Sequence, residues 1–588
     1  MERSIPTCGL LANEERQVSA LMTVSEFIFE FLRAKGTDTV FMVSGSSAMW
    51  LTDALCRNQG VRAVCNHHEQ ASVMSADIYA RLNNRLGTAL VTIGPGATNA
   101  ITGVAQAFTD SSAVMVLSGQ VSSRLLKYEQ DTGIRQHGTQ SLNLEPMVSP
   151  ITKYFAAVMD PADIRYHMER AYYEALNGRK GPVWLDVPVD IQNRQVPDEM
   201  AGFTPPAETD EVVDVDRISQ CLRRARKPLI LAGGGADPES ISRLSGGLRI
   251  PVVTSRMGIG CITSDNPYYV GRPGSNGQRA AHFAIQQADL LLILGCRLSV
   301  STIGYYPDRF AGNAVKIQVD IDQKELDKTD VPVDYKIRTT VKKFVEAVKD
   351  LPCTESQEWI AHCQEMREKY PVVLPEYREA NPLNSYHFTD LLTREAPGNA
   401  VITVDTGSVC NVVSQTWQLK AGQKYFISGG LSCMGFWAGS IGTMDTPVIA
   451  LSGDGSVSMN IQEFGTLKHY RLPVKLFVYK NNGYMLIRHN QHNYMNDRFL
   501  GVGPDSGVAM PDFCRVAEAY GLPSVRIQYG DDIPAKIRQV LSMEGPVVCE
   551  VILEEFGPLA PRIASRVMPD GSLKAAEYDD MAPFLEKE

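Results

Sequence analysis

The stretch "LSGDGSVSMN", residues 451–460, decides the fold. It closes an apolar run, "TPVIALSGDGS" (446–456), and opens a helical pattern. A carboxylate at the end of a buried strand costs roughly several kcal/mol unless it finds a partner. Gly453-Asp454-Gly455 is followed by 25 residues and then by Asn481-Asn482. Between them "NIQEFGTLKHYRLP" reads as one helix and "VKLFVYK" as the next strand, so the spacing is that of one βαβ crossover. Such a crossover sets the ends of two parallel strands side by side, where open α/β sheets bind ligands. The Asp454 carboxylate and the Asn481 amide oxygen then face one point, and hard oxygen ligands there suit Mg²⁺. The glycines let the backbone approach a phosphate, and the helix N-terminus after Ser456 offers it N–H groups. The reading is a Mg²⁺–diphosphate cradle. The plain alternative, a strand-to-helix turn with Asp454 as N-cap, leaves the spaced asparagine pair unexplained.

Outward from this point the same scheme recurs. "NAVITVDTGS" (399–408), "LPVKLFVYKNNGYM" (472–485) and "GPVVCEVIL" (545–553) complete a unit over 386–556. Toward the N-terminus, "TVFMVSG" (39–45), "GTALVTIGPGATNAITGVAQAF" (87–108), "AVMVLSGQV" (113–121) and "GPVWLDVPVDI" (181–191) make another over 22–192. It begins with a helix over "MTVSEFIFEFLRAKG", capped by Thr23 or Ser25, with Phe27, Ile28, Phe31 and Leu32 on its apolar face. Between them lies a third, over 212–350, with "PLILAGGGA", "IPVVTSRMGIG", "ADLLLILGCRL" and "AVKIQVDID". Strands alternating with helices predict an α/β fold of three doubly wound parallel-sheet domains. The Pro-rich acidic stretch 193–211 and the charged helical stretch 351–385 read as linkers, 1–21 as a leader and 557–588 as an irregular tail.

The bulk numbers exclude other classes. A chain of 588 residues exceeds a single core. Net charge is −10 and the pI about 5.6, which gives no electrostatic case for nucleic acid or an anionic membrane. No apolar run is long enough for a membrane span, and the N-terminus lacks the apolar centre of a signal peptide, so the expected compartment is the cytoplasm. The 12 cysteines form no C-x-x-C pair, against a zinc site or a disulfide framework.

Gly-Asp-Gly, about 25 residues, then Asn-Asn resembles the signature of thiamine-diphosphate enzymes, and from about 22 to 555 the chain resembles the acetolactate synthase and pyruvate decarboxylase superfamily. The resemblance implies an N-terminal pyrimidine-binding domain, a central FAD- or dinucleotide-like domain and a C-terminal diphosphate-binding domain. Glu69, in "NHHEQASVMSADIYAR" (66–81), would bond N1′ of the aminopyrimidine and promote its imino tautomer. Met434, in "GGLSCMGFWAGSIG" (429–442), would be the wedge beneath the bent cofactor, with the Ser432 carbonyl on its 4′-amino group. Pro95, Asn99, Gly407, Ser408, Gly453, Gly455, Ser456, Tyr484 and Met485 would complete the cofactor site. Asp454, Asn481 and the Gly483 carbonyl would ligate Mg²⁺. Gly45, Ser46 and Gln140 would stand near the reaction centre. Since pyrimidine and diphosphate bind to different domains, the resemblance implies a homodimer or a dimer of dimers, with sites between subunits.

The implied reaction is decarboxylation of pyruvate or another 2-oxo acid, then attack of the remaining unit on a second carbonyl. Ser44-Gly45-Ser46-Ser47 stands where synthases have Pro-Gly-Gly-Ala, Thr139 and Ser141 flank Gln140 in place of Phe and Glu, and Asn490 replaces a tryptophan beside Arg488 and His489. A wall this polar favours a polar acceptor, such as a nucleotide-linked keto sugar that receives an acetyl unit. Arg488 would contact a carboxylate or phosphate, or else face solvent. FAD would lie on Gly233, Gly234, Arg297 and Asp320, but Ser299-Val300-Ser301 and Gly274-Ser275-Asn276-Gly277 depart from the flavin-binding pattern. His67 and His68 read as substrate contacts or as satisfied core histidines. A non-ligating decarboxylase and a non-catalytic scaffold are the rival readings.

Overall fold

The apolar runs become the inner strands of three six-stranded sheets, each parallel throughout. The computed structural model describes residues 22–207, 211–354, 356–567 and 573–586. The proposed leader, 1–21, lies outside the described residues.

The first sheet contains β1 (Thr39–Met42), β2 (Arg62–Cys65), β3 (Gly87–Val91), β4 (Val114–Gln120), β5 (Tyr154–Ala157) and β6 (Val183–Pro188), in the order β2-β1-β3-β4-β6-β5. The second contains β7 (Pro228–Ala232), β8 (Val252–Thr254), β9 (Tyr269–Gly271), β10 (Leu290–Leu294), β11 (Val315–Asp320) and β12 (Tyr335–Arg338), ordered β12-β11-β10-β7-β8-β9. The third contains β13 (Val401–Val404), β14 (Lys424–Ile427), β15 (Val448–Gly453), β16 (Val474–Lys480), β17 (Ser524–Ile527) and β18 (Val547–Ile552), ordered β14-β13-β15-β16-β18-β17. The first and third sheets therefore share one topology. The middle sheet has the order of dinucleotide-binding folds, in which the chain reverses direction between the first and fourth strands.

Helices cover both faces of each sheet, so β3, β4, β7, β10 and β13 are buried along their whole length. The first helix, Val24–Ala34, is capped by Thr23 in a reciprocal pair with Glu26, not by Ser25, and buries Ile28, Phe29 and Leu32. The stretch 351–385 is no free spacer. Its helix Gln357–Lys369 packs Trp359 and Cys363 into the middle domain's core, and the Trp359 indole donates to the Pro228 carbonyl at 3.0 Å. The tail also docks on the middle domain. Tyr578 is buried there and stacks on His282 at 4.3 Å, while Arg279 donates to the carbonyls of Met581 and Pro583.

The N- and C-terminal domains meet where the helix Glu69–Asn83 lies on the segment Phe436–Thr443. The approach is backbone to backbone. A Cβ on Gly442 would lie 2.0 Å from the Ser75 carbonyl oxygen, so only glycine fits there.

Candidate active site

In each sheet the reversal of strand order, where the ends of neighbouring strands part, is flanked by residues singled out in the sequence: Gly45 and Pro95 in the first, Gly233 and Arg297 in the second, Gly407 and Asp454 in the third. In the C-terminal domain this point lies between β13 and β15. Asp454 follows β15 directly, and its carboxylate is buried. Its Oδ2 accepts the N–H groups of Asn481 (3.1 Å) and Gly483 (3.2 Å), and its Oδ1 accepts that of Gly455 (2.8 Å). Burial pushes the carboxyl up to about 6 despite these donors. Asn481 Oδ1 is buried without a hydrogen-bond partner, an orphan in need of a cation or water. Gly483 has φ +142°, and a Cβ there would lie 2.0 Å from the Val502 carbonyl oxygen. The Tyr484 ring lies over Gly455, leaving no room for a side chain. The Met485 sulfur receives the Asn481 amide at 3.6 Å. A carboxylate, an unpartnered amide oxygen and glycine backbone at two adjacent strand ends suit a Mg²⁺-bound diphosphate.

Across the same point Asp405, which no spaced partner in the sequence marks, follows β13. Its buried carboxylate accepts from Thr406 N–H, Ser452 hydroxyl and Trp437 N–H. Gly407, at φ +82°, precedes the helix Ser408–Thr416. Asn411, on that helix, accepts from Arg256 at 3.0 Å. The Ser456 hydroxyl accepts from Gly435 N–H at 2.9 Å, which ties the Gly453–Ser456 turn to the segment holding Ser432 and Met434. Ser432 is exposed and has φ +58°. The Met434 carbonyl accepts from Gln70 at 3.4 Å.

The expected single helix over 460–473 is broken. A 3-10 turn over Ser458–Glu463, kinked at Asn460 (φ −132°), runs on into the helix Phe464–Tyr470. The cause is tertiary: Asn460 donates to the Gly435 carbonyl at 3.0 Å and its Oδ1 bonds His68 Nδ1 at 3.2 Å. Beside it the buried Glu463 accepts from Asn66 and from His67 N–H. His68 therefore joins two domains.

In the N-terminal domain the reversal lies between β1 and β3. Gly45 follows β1, and a Cβ there would lie 2.4 Å from the Thr92 side chain; Ser46 is exposed. Glu69, nine-tenths buried, opens its helix and accepts from Asn99 at 3.0 Å; Asn99 is on the helix that Pro95 begins. Gln140 stands at φ +62° against Gly94.

Two of the acceptor-wall residues have other partners. The Arg488 guanidinium donates to the main-chain carbonyls of Asn481, Asn482, Val502 and Glu555, so it clamps the Asn481–Gly483 turn. His489 stacks on Phe556 at 4.2 Å and bonds the Gly557 carbonyl. Asn490 is exposed. In the middle domain a cavity of about 460 Å³ lies between the reversal of that sheet and the other two domains, lined by Gly235, Arg297, Asp320, Arg81, Arg179 and Gly429. Arg297 donates to the Thr109 carbonyl and Arg179 pairs with Asp322 and Glu325. Gly233 abuts Gly295, where a Cβ would lie 2.1 Å from the carbonyl oxygen, and Gly234 packs on Met257. Asp512, Cys514 and Glu550 also cluster, but Lys480 and Arg526 pair with their carboxylates, which makes an ion-pair knot.

Two domains of one topology with polar strand ends stand, in chain order, on either side of a domain of dinucleotide-binding order. Family models agree: thiamine pyrophosphate enzyme N-terminal TPP binding domain over 22–147, central domain over 215–348 and C-terminal TPP binding domain over 405–551. The chain belongs to the thiamine pyrophosphate enzymes of the acetolactate synthase and pyruvate decarboxylase superfamily, which make and break carbon–carbon bonds. It is 29% identical to a probable acetolactate synthase large subunit of Methanocaldococcus jannaschii, over 95% of this chain and 98% of the relative. It is also 29% identical to the acetolactate synthase isozyme 2 large subunit of Escherichia coli (92% and 98%) and to acetolactate synthase 1 of Nicotiana tabacum (92% and 83%).

Proposed function

We propose that this enzyme decarboxylates pyruvate and joins the remaining two-carbon unit to a second carbonyl compound, in the manner of an acetolactate synthase. The observation that carries the reading is the Asp454 carboxylate gathering the Asn481 and Gly483 N–H groups beside the orphaned Asn481 oxygen. Asp454, Asn481 and the Gly483 carbonyl would hold Mg²⁺ and, through it, the diphosphate. Thiamine diphosphate, when bound, supplies the nucleophilic carbon and the electron sink for the bond changes. Glu69 would hold a proton against N1′ of the aminopyrimidine, with Asn99 orienting its carboxylate. Within one chain the hydrogen bonds of Glu69 and Asp454 go to separate residues, and Pro95, Asn99 and Ser432 are exposed, which supports a homodimer with sites between subunits. The cavity of the middle domain has the size and position of a nucleotide site, and FAD is the proposed occupant.

A second reading gives the enzyme a polar acceptor, such as a nucleotide-linked keto sugar. Asn490, exposed on the helix that begins beside the Asn481–Gly483 turn, supports it. One experiment separates the two: product analysis with pyruvate, Mg²⁺ and thiamine diphosphate, beside Glu69→Gln. Acetolactate from the parent, falling roughly 100-fold or more in the variant, supports the first reading. Carbon dioxide and acetaldehyde with little acetolactate support the second. No turnover of pyruvate overturns both.

A further inference from the structure

The helix Ser123–Thr132 has no role in the site so far, yet it holds a buried acid with an unusual set of partners. Glu129 is 6% exposed, and a single carboxylate oxygen gathers three donors: His137 N–H (2.5 Å), Gly138 N–H (2.7 Å) and the Ser141 hydroxyl (2.6 Å). Ser141 is itself buried. All three donors lie in the turn that carries Gln140. Gln140 adopts φ +62°, a left-handed conformation that is strained for a non-glycine residue and persists only where its surroundings enforce it.

The turn abuts the N-terminal domain's strand reversal. Gly94 has φ +63°, and a Cβ there would lie 2.6 Å from the Gln140 carbonyl oxygen and 3.2 Å from its Cβ. Gly94 immediately precedes Pro95, the first residue of the helix whose Asn99 donates to Glu69. A second tie fixes the far side: Gln120, at the end of β4, donates to the Leu142 carbonyl at 3.2 Å.

We propose that Glu129 is a positioning residue: by fixing the His137–Ser141 turn it holds Gln140 in its left-handed conformation against Gly94, and so sets where Gln140 meets the substrate. This rests on the reading of Gln140 as a residue near the reaction centre. Burial works to raise the Glu129 carboxyl, but Ser141, Gly138 and His137 outweigh it and hold it below the usual carboxylate range, so it stays ionised as an acceptor at neutral pH.

The test is a double-mutant cycle on the full chain with Mg²⁺, thiamine diphosphate and pyruvate: Glu129→Ala, Gln140→Ala and the pair. Glu129→Ala is expected to lower kcat/KM for pyruvate roughly tenfold with thiamine diphosphate affinity little changed, and to lower the melting temperature as well, because three donors lose their acceptor. The double variant should be no worse than about twofold below Gln140→Ala. Glu129→Gln, which keeps an acceptor oxygen, should recover most of the loss. Additive losses overturn the proposal, because Glu129 would then act independently of Gln140. Full activity of Gln140→Ala also overturns it, since nothing would remain to be positioned. If the parent does not consume pyruvate, the pyruvate reading fails by itself, and amide hydrogen exchange decides this one. In Glu129→Ala, segments 137–141 and 94–99 must then lose protection together; unchanged protection at 94–99 overturns it.

Discussion

Asp186 sits within β6, its carboxylate accepting from Ser118 (2.6 Å) and Gln120 (2.9 Å). Full burial pushes this carboxyl up to about 7, against the pull of both donors. A folded pKa raised above the unfolded value of about 3.9 means that the native chain binds the extra proton. The contribution to stability is therefore complete below about pH 4 and is lost as pH rises through about 7. Asp186→Asn should remove that loss, so urea midpoints of parent and variant should draw together, or cross, between about pH 4 and 7. A constant offset across this window would refute the assignment. Asp186 was illegible as a special residue in the sequence, where it is one letter in the apolar run "GPVWLDVPVDI". Asp454 was legible, because two glycines and a distant asparagine pair report its surroundings along the chain.

At the scale of elements, Asp110 ends the Pro95–Thr109 helix of one domain and grips a loop of another. Its side chain is buried, and it accepts the N–H groups of Gly430 (2.6 Å) and Gly429 (3.1 Å). That loop leads to Ser432 and Met434. Asp110→Ala would leave both N–H groups without their acceptor, a loss of about 1–3 kcal/mol. Thiamine diphosphate should then bind roughly tenfold more weakly, as read by titration of activity or of intrinsic fluorescence; unchanged affinity would show that the loop is held by other contacts. Legibility at this scale follows burial. The four inner strands of each sheet stood out as largely apolar runs, because helices cover them on both sides, although β11 (VKIQVD) alternates. The outer six, including "RAVC", "YKIR" and "SVRI", went unread, since each is only three or four residues long, too short for alternation or an apolar run to stand out from its surroundings. The kink at Asn460 was hidden for another reason: the Gly435 carbonyl and the His68 ring that cause it are remote in sequence.

Across the whole molecule, several ties join the N- and C-terminal domains, and one of them is backbone to backbone. Gly439 and Gly442 let the segment Phe436–Thr443 rest on the backbone of the Glu69–Asn83 helix, and Ser75 donates to the Ala438 carbonyl at 3.2 Å. Gly442→Ala would drive a methyl group into the Ser75 carbonyl, backbone that no rotamer change can move aside. Overpacking of this kind costs about 1–3 kcal/mol. The variant should show a lower melting temperature and, because the same helix begins with Glu69, weaker thiamine diphosphate binding. A variant with the parent's melting temperature would mean that the two domains adjust freely at this contact.

By itself the sequence determined the three α/β units, the parallel character of their sheets and the nearness of Asp454 to Asn481. Each is written in local periodicity or in spacing across a single crossover. Only the tertiary structure decided the shared strand order of the outer domains, the commitment of Arg488 to main-chain carbonyls, the docking of 357–369 and of the tail on the middle domain, and the grip of Glu129 on the Gln140 turn. These depend on groups that meet through packing, and the hydrogen bonds and contacts of packing join residues whose separation along the chain carries no period.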